Sequence, residues 1–137
     1  MFYVQINFTR PDTSVDFFTP ELMEIAEYIF RKKVESGLVK AVWLGMTEDG
    51  LTFARAFGFD SAADAYALNA IMEADPKNQE AYVAFNSYMA EKGIISHNFG
   101  GDDSTREHPV DPALAVDMTK PLSELYAEIK VIPNFAR

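Results

Sequence analysis

A β-hairpin predicted over residues 38–59 constrains the fold more than any other feature of the sequence. Residues 38–46 and 51–59 form two apolar arms, and Asp49-Gly50 lies in the turn between them. Asp-Gly between two such arms is among the stronger local hairpin signals, because glycine accepts the positive φ of a tight turn. The hairpin also carries the only tryptophan, Trp43, and a mid-strand arginine, Arg55. We therefore expect a sheet built around these two strands.

Strands and helices alternate on either side of the hairpin. Residues 2–9 alternate apolar and polar side chains, which predicts a strand with one apolar face. Thr19-Pro20 is typical of a helix start, and an apolar stripe at helical spacing follows it towards Gly37. A second helix is predicted between Ser61 and Asp75. This order supplies all but the last strand of a ferredoxin-like β-α-β-β-α-β unit, an α+β fold.

Two segments compete for the place of that last strand. Residues 94–99 are a short apolar stretch that runs into Gly100-Gly101, whereas residues 125–132 alternate over a full strand length. The alternation favours residues 125–132. Residues 77–120 then become an insertion before the last strand, with a third helix and a polar loop, residues 100–109, as a candidate lid. We expect one domain over residues 1–137.

Composition excludes several classes of function. The formal net charge of −9 disfavours nucleic acid and anionic membrane surfaces as partners. The chain has no cysteine, which excludes disulfides, thiolate catalysis and cysteine-bound metals. The sequence lacks a signal-peptide pattern and an apolar run of about 18 residues, so we expect a cytoplasmic protein.

The element order and two short motifs resemble the dimeric α+β-barrel superfamily, most of all muconolactone isomerase. One motif is the strand-to-helix run 56–61, Ala-Phe-Gly-Phe-Asp-Ser, with the apolar helix that ends at residues 72–76. The other is Ala-Glu-Ile-Lys-Val at residues 127–131, in the place of the closing strand. The superfamily includes cofactor-independent monooxygenases of antibiotic biosynthesis, polyketide cyclases, haem-degrading enzymes and chlorite-dismutase-like proteins, so the fold alone does not specify a reaction.

The resemblance implies a homodimer in which the helices cover one sheet face and the other face lines a pocket or meets the second subunit. The helix-covered face would carry Phe2, Val4, Ile6 and Phe8. The pocket would be lined by Tyr3, Gln5, Asn7 and Thr9 of the first strand, Tyr126, Glu128 and Lys130 of the last strand, and Trp43 and Arg55 of the hairpin.

Three residues are candidates for catalysis. Arg55 shares a strand face with Phe53 and Phe57, and it would either hold a substrate oxygen or form an ion pair with Glu128. Glu128 would either transfer a proton in a dry cavity, with Lys130 stabilising negative charge, or lie on a solvated edge strand. His97 would act as a proton shuttle at the pocket mouth.

The sequence gives no support for a cofactor or a metal. The two histidines, His97 and His108, have acidic neighbours in the polar loop but no metal-binding spacing. His97 is only a loose match for a haem ligand. No glycine-rich phosphate loop and no nucleophile elbow is present.

The function predicted from these residues is cofactor-independent proton transfer on a small or polycyclic aromatic or lactone-like molecule. The reaction would be an isomerisation, a cyclisation or an oxygenation, for example in aromatic polyketide metabolism. The catalytic residues would be Arg55, Glu128 and His97, with Tyr3, Asn7, Trp43, Tyr88 and Tyr126 binding the substrate. The alternative is a non-catalytic ligand-binding or stress-response protein, or a structural subunit whose own side chains fill the pocket.

Overall fold

Five strands form one sheet in the computed structural model of the chain, which describes residues 1–102 and 111–133. The elements are β1 (Phe2–Thr9), α1 (Pro20–Glu35), β2 (Val39–Met46), β3 (Thr52–Phe59), α2 (Ala62–Glu73), α3 (Pro76–Glu91), β4 (Ile95–Asp102), a 3-10 turn (Pro112–Leu114), α4 (Leu122–Ala127) and β5 (Lys130–Val131). The strand order is β4-β1-β3-β2-β5. Its first four strands have the ferredoxin-like arrangement, which confirms the predicted α+β fold class. The sheet of the single chain is not closed.

The predicted hairpin is β2 and β3. The Gly50 amide donates to the Thr47 carbonyl at 3.0 Å, and Gly50 has a φ of 73°. Three helices begin with the capping residues that the sequence offers. The side chains of Thr19, Ser61 and Asp75 accept hydrogen bonds from backbone amides of the first turns of α1, α2 and α3.

The prediction of residues 125–132 as the last strand is wrong. β4 takes that place and pairs antiparallel with β1 along its whole length. Residues 122–127 are the helix α4, because Leu122 and Leu125 are buried three positions apart, and helical packing of this pair overrides the alternation. Only Lys130–Val131 forms a strand, parallel to β2. The third helix, α3, therefore precedes the true last strand of the unit. Of the proposed lid loop, residues 100–109, the first three residues belong to β4, and the rest lies outside the described residues.

The two faces of the sheet differ as the alternation of β1 predicts. Phe8 is buried on the helix-covered face, with Phe2, Val4 and Ile6 packed against the same core. On the opposite face, which we call the helix-free face, a second buried cluster comprises Tyr3, Trp43, Ala54 and Ala56. Gln5 and Asn7 belong to the same alternation and are also buried.

Candidate functional site

Arg55 and Trp43 lie on opposite faces of the sheet. Arg55 is opposite Ile6 and Leu44 in the strand register, so its side chain shares their helix-covered face. Trp43 is opposite Ala56 and belongs to the helix-free face. The prediction that both residues line one pocket is therefore wrong. Alternation within each strand was correct, but the register between the strands decides which positions share a face.

Arg55 is a buried cation that has no acidic partner in the part of the chain that the structure describes. The residue is 5% exposed, and its guanidinium lies 5.2 Å from the Phe57 ring centre and 5.9 Å from that of Phe8. Its Nε atom is buried and has no hydrogen-bond partner among the described residues. Burial lowers the pKa of the guanidinium, although Tyr82 opposes this effect. Within residues 1–102 and 111–133, no carboxylate forms an ion pair with Arg55. The predicted ion pair with Glu128 is therefore not formed, because Glu128 lies beside Lys120 instead.

Lys33 is a second buried cation on the same side of the sheet. It is 9% exposed, and its ammonium lies 4.9 Å from the Phe57 ring centre and 5.8 Å from that of Tyr82. No ion pair with a described carboxylate compensates its charge. Burial, and secondarily the charge of Arg55, lower the pKa of Lys33 from 10.5 to about 7. A large fraction of this side chain is therefore a neutral amine at neutral pH.

We call Lys33, Arg55 and the adjoining rings of Phe8, Phe57 and Tyr82 the cationic site. α1 contributes Lys33, the paired strands β1 and β3 contribute Phe8, Arg55 and Phe57, and α3 contributes Tyr82. The two cations contact one ring, that of Phe57. Chemically, the arrangement offers a hydrogen-bond donor without an acceptor and an amine able to take up a proton, both in apolar surroundings.

Sequence reasoning missed Lys33, although a signal was present. Leu22, Ala26 and Ile29 are buried along one stripe of α1, and Lys33 occupies the next position of that stripe. A lysine in a position where the spacing calls for an apolar residue is an unusual candidate for burial. Its two neighbours of like charge, Arg31 and Lys32, obscure the signal because the run 31–33 resembles a solvated basic turn.

Glu128 does not occupy a pocket-lining strand position. It ends α4, its carboxylate is 57% exposed, and it lies 3.6 Å from the Lys120 ammonium. The predicted alternation of Tyr126, Glu128 and Lys130 along one strand is wrong for the same reason that 125–132 is not the last strand.

Two predicted substrate-binding tyrosines have structural contacts. Tyr126 lies in α4 and packs edge-on against Phe18 and Phe53, at ring distances of 5.0 and 5.6 Å. The Tyr88 hydroxyl donates to the Asp16 carbonyl at 2.7 Å and joins α3 to the loop before α1. Both tyrosines therefore contribute to the helix-covered side of the molecule rather than to the helix-free face.

The remaining predicted residues meet on the helix-free face. Tyr3 and Trp43 pack edge-on at 5.7 Å, and the Trp43 indole donates to the Asp111 carbonyl at 3.0 Å. Asn7 is opposite the exposed His97 in the register of β1 and β4. The structure thus brings Tyr3, Asn7, Trp43 and His97 to one face, apart from Arg55.

Two surface cavities lie outside the cationic site. One, of about 310 Å³, lies beside β2 and β5 and includes Leu44, Lys120 and Glu128 in its lining. The other is an open groove of about 650 Å³ between α1 and α3, with Tyr28, Lys77 and Ala81 among its lining residues. Neither is lined by Arg55 or Lys33.

Within the described ranges, no group of three or more histidine, aspartate or glutamate side chains is arranged to hold a metal ion. None of the helices in this part of the chain combines the length and the hydropathy that crossing a bilayer requires.

Comparison with solved structures supports the fold. A protein from Agrobacterium tumefaciens is 18% identical over 81% of this chain and all of its own, with a TM-score of 0.50. A NIPSNAP domain protein from Burkholderia xenovorans is 14% identical over 79% of this chain and 99% of its own, with a TM-score of 0.52. A protein from Nitrosomonas europaea, described as a candidate antibiotic biosynthesis monooxygenase, is 15% identical over 76% of this chain and 93% of its own, with a TM-score of 0.43.

No protein-family profile and no curated protein sequence matches the chain. At these identities the first two structures establish a shared fold alone, and the third is too distant to add to that conclusion. Together with the strand order, the first two structures support the ferredoxin-like α+β fold.

Proposed function

We propose that the protein is a cofactor-independent enzyme that transfers a proton on a small aromatic or lactone-like molecule, with Lys33 and Arg55 as its catalytic residues. The observation that carries this proposal is that two buried basic side chains contact one aromatic ring, with no carboxylate of residues 1–102 or 111–133 to compensate their charge. A buried, uncompensated charge is costly, so such a pair favours binding of an anionic oxygen.

The two cations have different roles in the proposed reaction. Neutral Lys33 accepts a proton from an acidic carbon or a phenol of the substrate, since its pKa of about 7 suits a general base at neutral pH. The negative charge then develops on the substrate oxygen, where the free Nε–H of Arg55 donates to it. Return of the proton to another atom completes an isomerisation, whereas reaction of the carbanion completes a cyclisation or an oxygenation.

Lys33 takes the role that the sequence assigned to Glu128 and His97. Both of those residues are exposed, so their carboxylate and imidazole lack the dry surroundings that the assignment required. The rings of Phe8, Phe57 and Tyr82 take the part of pocket wall that was assigned to Tyr3 and Trp43.

Hydrogen–deuterium exchange at carbon tests the proposal without knowledge of the product. The protein is incubated in D₂O with an unsaturated lactone or a naphthol, and ¹H NMR follows the loss of the acidic carbon-bound proton. We expect catalysed exchange whose rate rises through a pH near 7 and is lost in Lys33→Met. Lys32→Met is the matched control, because the Lys32 ammonium is paired with Asp75 at 2.8 Å. Exchange that is equal in Lys33→Met and wild type would exclude Lys33 as the base.

A non-catalytic binding protein is the second candidate, and the free Nε–H of Arg55 favours it independently of Lys33. A binder needs one anchor for an anionic group and apolar walls, and the cationic site has both. The two candidates differ in the exchange experiment: a binder retains the lactone or naphthol without exchanging its protons at any pH.

We also propose that the protein is a homodimer that associates through the helix-free face. β4 is an edge strand, and Ile95, His97 and Phe99 share this face with Asn7 and Gln5. Ile95 is 72% exposed, and the His97 and Phe99 rings lie 5.7 Å apart. An exposed apolar strip on an edge strand is typical of a surface that pairs with another chain.

A further inference from the structure

We infer that Lys33 is also a nucleophile, forming an imine with a small aromatic carbonyl compound whose carboxylate binds to Arg55. The inference rests on the same cationic site as the proposed function, and it names the substrate class as an aromatic oxo acid. No such compound is implied by the fold, since the assignment comes from the two side chains and the ring between them.

The cationic site lacks a carboxylate among the residues that the structure describes. Three other cations of the described residues have acidic partners: Lys32 with Asp75, Arg31 with Glu27, and Lys120 with Glu124 and Glu128. Arg55 and Lys33 have none among residues 1–102 and 111–133. A carboxylate brought by a ligand would supply the acceptor that the Arg55 Nε–H lacks.

The surroundings of Lys33 favour its neutral, nucleophilic form. Only a neutral amine attacks a carbonyl carbon, and lysines become neutral near pH 7 when they are desolvated beside another cation. Lys33 meets both conditions, because it is buried and the nearby Arg55 disfavours its protonation. Its neighbour Lys32 has the opposite environment, since hydrogen bonding to Asp75 raises the pKa of Lys32.

The aromatic rings of the cationic site favour a flat ligand. Both cations contact the ring of Phe57, with Phe8 beside Arg55 and Tyr82 beside Lys33. A flat molecule on these rings places one group at each cation. An aromatic ring bearing a ketone next to a carboxylate satisfies the rings, the amine and the guanidinium together.

The reaction balances without a cofactor. The Lys33 nitrogen forms a bond to the carbonyl carbon, and the carbonyl oxygen leaves as water with the two protons that the amine gives up. The product is an imine, which takes up one proton to become an iminium ion. The iminium withdraws electrons from the adjacent carbon, which assists the proton loss or bond cleavage that follows.

The experiment traps the imine with the full-length protein. Benzoylformate is added at pH 7 with cyanoborohydride, which reduces an iminium to a stable secondary amine. A glutamate-specific protease then releases residues 28–35, a peptide that contains both Lys32 and Lys33. Tandem mass spectrometry locates the adduct, whose mass is that of the acid less one oxygen atom.

We expect labelling of Lys33 at least tenfold above that of Lys32 in the same peptide. Acetophenone, which lacks the carboxylate, should label Lys33 much less, and Arg55→Met should reduce labelling by benzoylformate. Lys33→Met and Lys33→Arg both remove the nucleophile, so labelling at residue 33 should be lost in each variant. Circular dichroism verifies the fold of each variant.

Two results would overturn the inference: equal labelling of Lys32 and Lys33, or labelling of Lys33 that does not depend on the carboxylate. The proposed function is tested separately, because an unsaturated lactone or a naphthol exchanges protons without forming an imine. Exchange without trapping refutes the imine and leaves the proton-transfer function in place. Trapping without exchange supports the imine and refutes proton transfer on lactones and naphthols.

Discussion

Lys33 lies in the buried stripe of α1, and this burial makes the stability of the protein depend on pH. Because the folded-state pKa of about 7 lies below the unfolded value of 10.5, the folded chain binds fewer protons than the unfolded chain between these pH values. The free energy of unfolding therefore rises with pH from about 7 to 10.5. Below pH 7 the folded chain carries the full penalty of a buried charge.

Lys33→Met should stabilise the protein at pH 6, because it replaces the buried charge with an apolar side chain of similar length. The lowering of the Lys33 pKa from 10.5 to about 7 corresponds to on the order of 5 kcal/mol at pH 6. Urea unfolding of both proteins between pH 6 and 10 measures the effect, and the advantage of the variant should shrink as the pH rises. Parallel curves for the two proteins would show that Lys33 titrates normally in the folded state.

At this scale the sequence identified some residues and missed others for physical reasons. Arg55 between Phe53 and Phe57 was recognisable because strand periodicity places these three side chains on one face. The neighbours of Arg55 on β2 were not recognisable, because the register of β2 against β3 decides whether Trp43 or Leu44 lies beside it. Lys33 was detectable only by treating a charged residue as part of an apolar stripe.

The elements follow local sequence where capping and turn residues are strong, and depart from it where two periods compete. The hairpin at Asp49-Gly50 and the starts of α1 and α2 were predictable from their turn and capping residues. Residues 125–132 fit an alternating strand in sequence, but burial of Leu122 and Leu125 is satisfied by one helical turn. Residues 94–99 were the less favoured candidate for the last strand because Gly100-Gly101 resembles a strand end. In the structure Gly100 belongs to β4 and permits close packing against β1.

Gly100→Ala tests that close packing. A Cβ at this position would lie 3.3 Å from the Tyr3 carbonyl oxygen and 3.3 Å from the Phe2 ring, and the backbone atom has little freedom to move. We expect a loss of about 1–3 kcal/mol in the free energy of unfolding, measured with urea. Ser96→Ala, on the same strand, is the control. If Gly100→Ala left the free energy of unfolding unchanged, this result would contradict the pairing of β4 with β1.

The junction of α2 and α3 depends on Asp75, which joins it to α1. Its carboxylate accepts from the Tyr28 hydroxyl at 2.5 Å and lies 2.8 Å from the Lys32 ammonium. Hydrogen bonds, first from Lys32 and then from Tyr28, lower the pKa of Asp75 to about 2. The stability that this group contributes is therefore present above pH 4 and lost as the pH falls through 2.

Asp75→Asn should lower the urea midpoint at pH 7, because it removes the charge while leaving an oxygen that can cap α3. The difference from wild type should narrow as the pH falls from 4 to 2. Asp75→Ala should lower the midpoint further, since it removes the cap as well. A difference that stays constant with pH would show that the ionised carboxylate contributes nothing to stability.

At the scale of the whole molecule, the ferredoxin-like order was predictable and the assignment of functions to faces was not. The apolar alternation of β1 revealed that the sheet has two different faces, but not which face holds the buried cations. The resemblance placed the pocket on the helix-free face, whereas the cationic site lies between the sheet and the helices. The helix-free face is instead the surface that we propose for dimerisation.

Substitution on β4 tests the proposed dimer. The double variant Ile95→Lys with Phe99→Lys adds positive charge to both subunits across the interface, and we expect a monomer by sedimentation velocity where the wild type is a dimer. Val83→Lys is the matched control, because Val83 is 66% exposed on α3, away from the sheet. A wild-type monomer, or a double variant that remains a dimer, would contradict the proposal.

The central claim is that the helix-covered face holds a neutral lysine and an arginine ready to bind an anion. The most direct measurement is a pH titration of ¹³Cε-labelled lysines by NMR, with and without benzoate, in which Lys33→Met assigns the signal. We expect Lys33 to titrate near pH 7, and its pKa to rise when benzoate binds beside it. Titration of Lys33 near 10.5, or a pKa near 7 that benzoate leaves unchanged, would contradict the claim.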